Sequence, residues 1–302
     1  MPALSLPVRA PGRVRVWASF VRLEHTLFSL PLLLAGAFGA RGPALPAARW
    51  ALIAVAAVAA RTAAMALNRI VDRRLDALNP RTRARALPSG RMSLAEAGAL
   101  LAASVIAYFA ACAALGPWFV RVAIVPLAVF ALYPYLKRVT PLCHFGVGTA
   151  LALAPLAGYA AAHPDLAQPW VALWLAGFAL LWVSGFDIIY ATLDEAFDRA
   201  HGVRSLVATL GRARALRVSA LLHALAFACV MAALVEVAKL APAGRRLGAD
   251  LALALALAVI GTLLVLEQRW AEDVNLAFFK VNVWVGAAVL AAVLTLRAIG
   301  GS

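Results

Sequence analysis

The chain has 302 residues, of which 64% are hydrophobic and only 14% are charged, and its formal net charge is +14. A soluble domain is usually about half apolar and about a quarter charged, so this composition excludes an ordinary soluble core and indicates a membrane protein. The basic residues lie between apolar segments rather than in a domain of their own, which argues against binding to nucleic acid.

Nine apolar segments follow one another along the chain, and their lengths are close to the 20 residues or so that a membrane-spanning helix needs. They predict an all-α membrane protein in which one domain, residues 1–302, forms a bundle of nine transmembrane helices in the lipid bilayer. The predicted spans are 26–40, 47–67, 95–115, 118–135, 142–162, 169–190, 215–239, 249–266 and 278–298.

The distribution of basic residues predicts the orientation of this bundle. With the N-terminus in the cytoplasm, most of the 28 Lys and Arg residues fall in the inner connections, as the positive-inside rule expects. The N-terminal segment lacks a clear cleavage site and is interpreted as a cytoplasmic lead-in, not as a signal peptide. The expected location is a bacterial inner (cytoplasmic) membrane.

A first polar stripe closes the second apolar segment, in "NRIVDRRLD". Asn68, Asp72 and Asp76 recur at every fourth residue, and because four residues turn a helix by about 400°, the three side chains drift only about 40° per step. Arg61, seven residues earlier, falls on the same face. Charged groups are costly inside a membrane, so this face is expected to border a polar cavity.

A second polar stripe closes the sixth segment, in "DIIYATLDEAFD". Asp187, Tyr190, Asp194 and Asp198 are spaced as one face of a continuous helix. The predicted orientation brings both stripes to the cytoplasmic side. One such stripe is often a solvated helix end, but two on the same side, each followed by a basic loop, indicate a shared site.

Carboxylates and arginines in this arrangement suit a particular chemistry. Mg²⁺ prefers oxygen ligands and typically uses one or two carboxylates together with substrate phosphates. Nearby basic side chains would bind phosphate oxygens, and the apolar bundle would hold a lipid tail. The residues therefore predict a membrane-embedded, Mg²⁺-dependent enzyme that acts on a lipid diphosphate.

Several motifs resemble those of the UbiA superfamily of intramembrane aromatic prenyltransferases. Besides the two aspartate motifs, "RALPSG", "YPYLKR" and "GVRSLVATLG" are similar to family patterns. The resemblance covers nearly the whole chain and implies nine transmembrane helices around a central cavity. It also implies transfer of a polyprenyl chain from polyprenyl diphosphate to an aromatic acid in quinone biosynthesis, through an allylic cation.

The resemblance also implies roles for individual residues. Tyr190 would lie near the ionising bond and act with Asp72 and Asp194 in catalysis. Independently of the resemblance, Arg61 is a cation inside a span and is expected to be catalytic, through the acceptor's carboxylate or a diphosphate oxygen, with a helix–helix ion pair as the alternative. The expected substrate-binding residues are Asn68, Arg85, Lys137, Arg138 and Arg204. The expected Mg²⁺ ligands are Asn68, Asp72, Asp76, Asp187, Asp194 and Asp198.

One departure from the family pattern concerns the acceptor. Many members have Asp directly after the first Asn, where this chain has Arg69. The surrounding run is more similar to a branch associated with menaquinone made through futalosine, which leaves 4-hydroxybenzoate and 1,4-dihydroxy-6-naphthoate both open. Alternatives are a relative with another acceptor (haem, homogentisate or a glycerol lipid) and a transporter of an anionic metabolite.

Three local features of the sequence give further expectations. The Pro- and Arg-rich loop "NPRTRARALPSGRMS" is expected to cap the site, and Ser93 with Glu96 predicts a capping box at the start of the next helix. His144, at the start of the fifth segment, could line the cavity, but it fits a solvated boundary histidine better.

Overall fold

The computed structural model describes residues 12–22, 26–42, 45–163, 165–272 and 274–301, without the side chains of 26–28, 272 and 274–280. All regular secondary structure in these residues is helical, which confirms the predicted fold class. The α-helices are α1 Arg13–Phe20, α2 Thr26–Phe38, α3 Ala47–Leu78, α4 Leu94–Leu115, α5 Pro117–Val122, α6 Ile124–Val139, α7 Cys143–Ala162, α8 Trp170–Ala191, α9 Glu195–Ala200, α10 Leu206–Leu210, α11 Arg212–Ala238, α12 Arg246–Arg269 and α13 Val274–Gly300.

Eight helical segments in the described ranges are long and apolar enough to cross a membrane. The first predicted span, 26–40, is the exception. It forms α2, whose 13 residues rise about 20 Å, less than the hydrocarbon core of roughly 30 Å. Among the described residues the bundle therefore has eight full-length spans, with α2 packed against them as a shorter apolar helix.

Helix α3 is longer than the predicted span 47–67, because it continues without a break through the first polar stripe to Leu78. Its 32 residues rise about 48 Å, well beyond the thickness of the hydrocarbon core. The apolar first half can therefore cross the membrane while the last turns project past it. This length is what carries Asn68, Asp72 and Asp76 to the membrane boundary.

Helix α8 lies at the centre of one half of the molecule, between α7 and α11. Its side chains Phe178 and Trp182 are fully buried, and their rings stack with centroids 5.3 Å apart. Helix α2 packs on α7, and α13 packs on α2 and α12. The other half contains α3, α4 and α6, and α6 joins it to α7.

Helices α2 and α7 cross at very close range through two glycines. A Cβ atom at Gly36 would overlap the backbone of Pro155, and one at Gly158 would overlap the carbonyl of Leu33. Between apolar helices in lipid there is little hydrophobic driving force, so association depends on close packing of small residues. These glycines therefore let the short helix α2 bind its neighbour.

We expect Gly36→Ala to destabilise the protein by about 1–3 kcal/mol, because the added methyl group must push α2 away from α7. The matched control is Gly98→Ala on α4, where nothing lies within 4 Å of the added carbon. The control should be neutral or stabilising by up to about 1 kcal/mol, since Ala is the better helix former. Thermal unfolding in detergent compares the two variants, and equal melting temperatures would show that the crossing tolerates a methyl group.

The segment between α3 and α4 folds back over the end of α3. The predicted capping box is present: the Glu96 N–H donates to Ser93 Oγ at 3.1 Å, and the Ser93 N–H donates to Glu96 Oε2 at 2.9 Å. Helix α1 covers this segment with the buried side chains of Val16 and Phe20, which belong to the same apolar cluster as Met92. The loop is thus held from both sides.

Candidate active site

A cavity of about 870 Å³ lies between the two halves of the bundle. Most of its wall is apolar and comes from α3, α4, α5, α6 and α7. At one end the lining becomes polar, where α3, the following loop and the end of α8 meet. The polar lining residues there are Arg22, Arg61, Asn68, Arg69, Arg85, Tyr133, Asp187 and Tyr190.

The first polar stripe forms one face of α3, as predicted, but its members have different surroundings. Asn68 lines the cavity, and its amide donates to Asp72 Oδ2 at 3.4 Å. Asp76 is buried, and its carboxylate accepts a hydrogen bond from Arg85 at 2.6 Å. Arg69 is 3.9 Å from the other Asp76 oxygen. In the part of the chain that the structure describes, only Asp76 of these three positions is paired with the basic loop, through Arg85.

Asp72 is the most enclosed carboxylate of the first stripe, with 3% of its surface exposed. It forms an ion pair with Lys137, and Arg138 Nη2 is 3.3 Å from its other oxygen. Both cations lie in the last turn of α6. The pairing of α6 with α3 therefore brings the "YPYLKR" motif onto the first aspartate motif, which joins two predicted groups of site residues.

The second stripe is not one continuous helical face, and this part of the prediction is wrong. Helix α8 ends at Ala191, a 3₁₀ turn covers Thr192–Asp194, and α9 begins at Glu195. The Thr192 hydroxyl donates to the carbonyl of Ile189 at 2.7 Å within this turn. Because a 3₁₀ turn has about three residues instead of 3.6, it rotates the later side chains away from the α8 face.

The three aspartates of the second motif consequently contact three different groups. Asp187 remains on α8, lines the cavity and lies 2.7 Å from His144. Asp194 accepts hydrogen bonds from the Asn79 amide at 2.8 Å and from Arg81 Nε at 2.9 Å. Asp198 is buried and accepts one from the Ser205 hydroxyl at 3.0 Å.

Arg81 links the loop to the second motif, and its role was missed by the sequence analysis. It forms a two-pronged pair with Asp194, donates to the Tyr190 hydroxyl at 2.6 Å, and its guanidinium carbon is 4.7 Å from the Tyr190 ring centroid. Burial alone would lower the pKa of Arg81, but the hydrogen bond to Asp194 and the Tyr190 hydroxyl raise it above its ordinary value. The loop that was predicted to cap the site is thus joined to the second motif by charged contacts.

His144 is a second residue that the sequence analysis undervalued, because it is buried and not solvated. The backbone N–H of Leu206 donates to its Nε2 at 3.3 Å, so Nε2 acts as an acceptor. We therefore assign the proton to Nδ1, which donates to Asp187 at 2.7 Å. The burial of His144 could not be predicted from its neighbours in sequence at the start of α7, because its partners come from α8 and α10.

Arg61 and Arg204 were both predicted as site residues, but only Arg61 lines the cavity. Arg61 lines the cavity, about 10 Å of helix rise from Asn68, and its guanidinium is 3.4 Å from the carbonyl of Arg22. Arg204 is exposed, lies outside the cavity lining, and donates to the carbonyl of Val139 at the end of α6 at 2.8 Å. Its assignment to substrate stays a prediction that no contact in the structure supports.

The oxygen donors fit a hard divalent cation, although they are held apart. In the described ranges no three His, Cys, Asp or Glu side chains converge as a preformed metal cluster. Asp72, Asp76 and Asp194 instead each bind a cationic side chain. Mg²⁺ often takes only one or two carboxylates and completes its shell with phosphates and water, so a preformed cage is not required. Asn68 and Asp187 supply further oxygens at the cavity wall.

Comparison with known proteins agrees with this geometry. The chain is 30% identical over 206 residues to a 4-hydroxybenzoate octaprenyltransferase of Shewanella denitrificans, which covers 67% of this chain and 69% of that protein. The fold matches the apo structure of a UbiA homolog from Aeropyrum pernix K1 with a TM-score of 0.78 and 34% identity, over 90% of this chain and 98% of that chain.

A second solved structure is more distant in sequence and shows the fold alone. It is a UbiA homolog from Archaeoglobus fulgidus bound to GPP and Mg²⁺, with a TM-score of 0.67 and 18% identity, over 94% of this chain and 99% of that chain. Residues 29–286 match the UbiA prenyltransferase family. This match spans both aspartate motifs, the basic loop and every helix that lines the cavity. The chain therefore belongs to the UbiA prenyltransferase family.

Proposed function

We propose that this prenyltransferase moves a polyprenyl chain from its diphosphate to an aromatic acid in quinone biosynthesis, with Mg²⁺ as cofactor. The observation that carries the proposal is the form of the cavity, which is apolar along most of its length and ends in a polar cluster of arginines, Asn68, Asp187, Tyr133 and Tyr190. The apolar part suits the tail, and the charged end suits the diphosphate. A transporter of a metabolite would not need such a two-part site.

Binding of the diphosphate would exchange the partners of existing ion pairs. Lys137, Arg138 and Arg85 now neutralise Asp72 and Asp76. When the diphosphate is bound, these cations would bind its oxygens. The carboxylates that they now neutralise would then be released to hold Mg²⁺. Every charge would keep a counter-charge, so the exchange avoids leaving an unpaired ion in a partly buried site.

The residues suggest how the reaction proceeds. The bond between the first prenyl carbon and the diphosphate oxygen breaks, and its electron pair stays on the oxygen. Bound Mg²⁺ supplies charge neutralisation for that leaving group. Tyr190 lines the cavity at this point, and its aromatic ring can stabilise the allylic cation. An aromatic ring carbon then attacks the cation, a C–C bond forms, and loss of the ring proton restores aromaticity.

The apolar wall protects the cation from water, which would otherwise convert it to an alcohol. The acceptor enters the same polar end. Arg61 lines the cavity about 10 Å along α3 from Asn68, a separation that supports its assignment to the carboxylate of the acceptor, with the ring toward the diphosphate. Arg22 and Arg69 add positive charge to this part of the wall. An acidic acceptor is therefore favoured over a neutral one.

The direct test is an assay of purified protein in lipid or detergent with Mg²⁺ and a polyprenyl diphosphate. Parallel reactions contain 4-hydroxybenzoate or 1,4-dihydroxy-6-naphthoate, and mass spectrometry identifies the prenylated product. We expect one of the two acids to be prenylated with release of diphosphate. Turnover only with haem, homogentisate or a glycerol lipid, or only hydrolysis of the diphosphate, would contradict the proposed acceptor class.

The polar end of the cavity is expected to face the cytoplasm, because the basic loops lie at that end. Thr82, in the middle of the loop, is buried, whereas Arg83 beside it is exposed. In a variant without Cys112, Cys143 and Cys229, the substitution Arg83→Cys should react with a thiol reagent only in permeabilised or inverted membranes. Labelling of intact cells by an impermeant reagent would reverse the orientation.

A further inference from the structure

The apolar end of the cavity lies opposite the charged end. The residues that line it belong to α2, α3, α4, α5 and α7, and three of them are buried in one apolar cluster. They are Leu33, Ile53, Leu115, Phe119 and Ala161. A prenyl tail that starts at the diphosphate site and extends through the cavity reaches these side chains last.

The position of Phe119 follows from a sharp turn in the chain. Gly116 ends α4 with φ +138°, a backbone angle that favours glycine, and Pro117 begins α5. Helix α5 has only six residues and is followed directly by α6. Trp118, Phe119 and Val122 of this short helix line the cavity.

Phe119 is also held in place. The Arg49 guanidinium carbon is 5.6 Å from its ring centroid, and Arg49 Nε donates to the Ala161 carbonyl at the end of α7 at 3.1 Å. The Trp118 ring meets the Phe119 ring edge-on, with centroids 5.1 Å apart. Contacts from α3 and α7 thus fix the aromatic ring, which makes a well-defined wall.

The distance between the two ends corresponds to a definite length of tail. Ile53 and Asn68 are fifteen residues apart on α3, a rise of about 22 Å. Extended backbone advances roughly 1.2 Å per bond, so an isoprene unit with four chain bonds covers about 5 Å. The enclosed part of the cavity therefore accommodates about four isoprene units.

We propose that Phe119 is a specificity-determining residue, at which recognition of the prenyl tail ends after about the fourth isoprene unit. This inference rests on the proposed function. A tail in the bilayer is already in an apolar solvent, so only close packing against the cavity wall can distinguish one length from another. Trp118 and Val122, on the same helix as Phe119, also line the cavity and are exposed at the surface of the bundle. Units beyond Phe119 therefore pass out toward the lipid and make no such contacts. Longer diphosphates are accepted, but without further gain.

The test measures kcat/KM for diphosphates of two to nine isoprene units, supplied at equal mole fraction in detergent micelles. In the unaltered protein the values should rise to about four units and then level off. The break is the tail length at which kcat/KM stops rising. Phe119→Ala should move this break about one unit longer, and the ratio of kcat/KM for the five-unit substrate to that for the four-unit substrate should rise about tenfold. Ala57→Phe, one helical turn from Ile53 toward Asn68, should move it about one unit shorter.

The control is Phe109→Ala on α4, which removes a partly buried phenylalanine that does not line the cavity. Its break should match that of the unaltered protein. Ala57→Phe keeps the test decisive if Phe119→Ala fails to fold. An unchanged break in a folded cavity variant would overturn the inference while turnover continues. No turnover of any diphosphate by the unaltered protein would instead overturn the proposed function, and this inference with it.

Discussion

Asp72→Asn should slow prenyl transfer by about 10²–10³-fold while the protein remains folded. The side chain keeps its shape but loses the charge that would bind Mg²⁺. Stability should fall by roughly 1–3 kcal/mol, because Lys137 and Arg138 lose a buried counter-charge. The fall stays moderate because those side chains remain 28% and 35% exposed and water can solvate them. Single-turnover rates and melting temperatures measure the two effects separately.

The same substitution at Asp194 tests whether the two motifs form one site. Asp194→Asn should cause a similar loss, and the double variant should be little worse than either single one, since residues that act as a unit are not additive. Asp250→Asn is the matched control, because Asp250 also lies near an arginine but is exposed on α12. Near-normal turnover by Asp72→Asn, or loss of activity explained by unfolding, would contradict the metal–diphosphate assignment.

Removal of divalent metal should abolish turnover without unfolding the protein. In the structure the carboxylates of Asp72, Asp76 and Asp194 are neutralised by basic side chains, so we expect the fold to persist without a metal. With EDTA we expect activity to disappear, to return with excess Mg²⁺, and the melting temperature of the substrate-free protein to change little. A structural metal would behave differently, because its binding energy is part of the folding energy.

A second measurement distinguishes a catalytic metal, which binds together with the substrate, from a structural metal. Mg²⁺ and a polyprenyl diphosphate together should raise the melting temperature, because a ligand that binds only the folded state stabilises it. Either one alone should have a smaller effect if the diphosphate and the metal share ligands. Full turnover in EDTA would exclude metal-dependent chemistry, and unfolding in EDTA would show a structural metal instead.

Local periodicity was sufficient to predict much of this molecule. The apolar segments predict most of the helices, since a helix in lipid must satisfy its own backbone hydrogen bonds and leaves few alternatives. The stripe of Asn68, Asp72 and Asp76 follows from the helical repeat alone, and α3 is continuous through it. The Ser93–Glu96 capping box involves residues three apart, so it was also predictable.

The second motif shows where this reasoning fails. Its spacing is that of one helical face, but the chain turns at Thr192–Asp194, where Asp194 reaches Asn79 and Arg81 of a distant loop. Those contacts are more than a hundred residues apart in sequence. A pattern with the helical period cannot report a short 3₁₀ turn that tertiary contacts hold.

The sequence by itself determined the membrane class, the positions of most spans and which residue types carry the chemistry, because these depend on composition and on neighbours within a few turns. Only the tertiary structure decided the pairs: Asp72 with Lys137 from α6, Asp187 with His144 from α7, and Asp194 with Arg81 from the loop. The same holds for the short α2 beside α7 and for Phe119 at the apolar end of the cavity. Helical period sets the face on which a side chain lies, whereas packing between helices sets what that face meets.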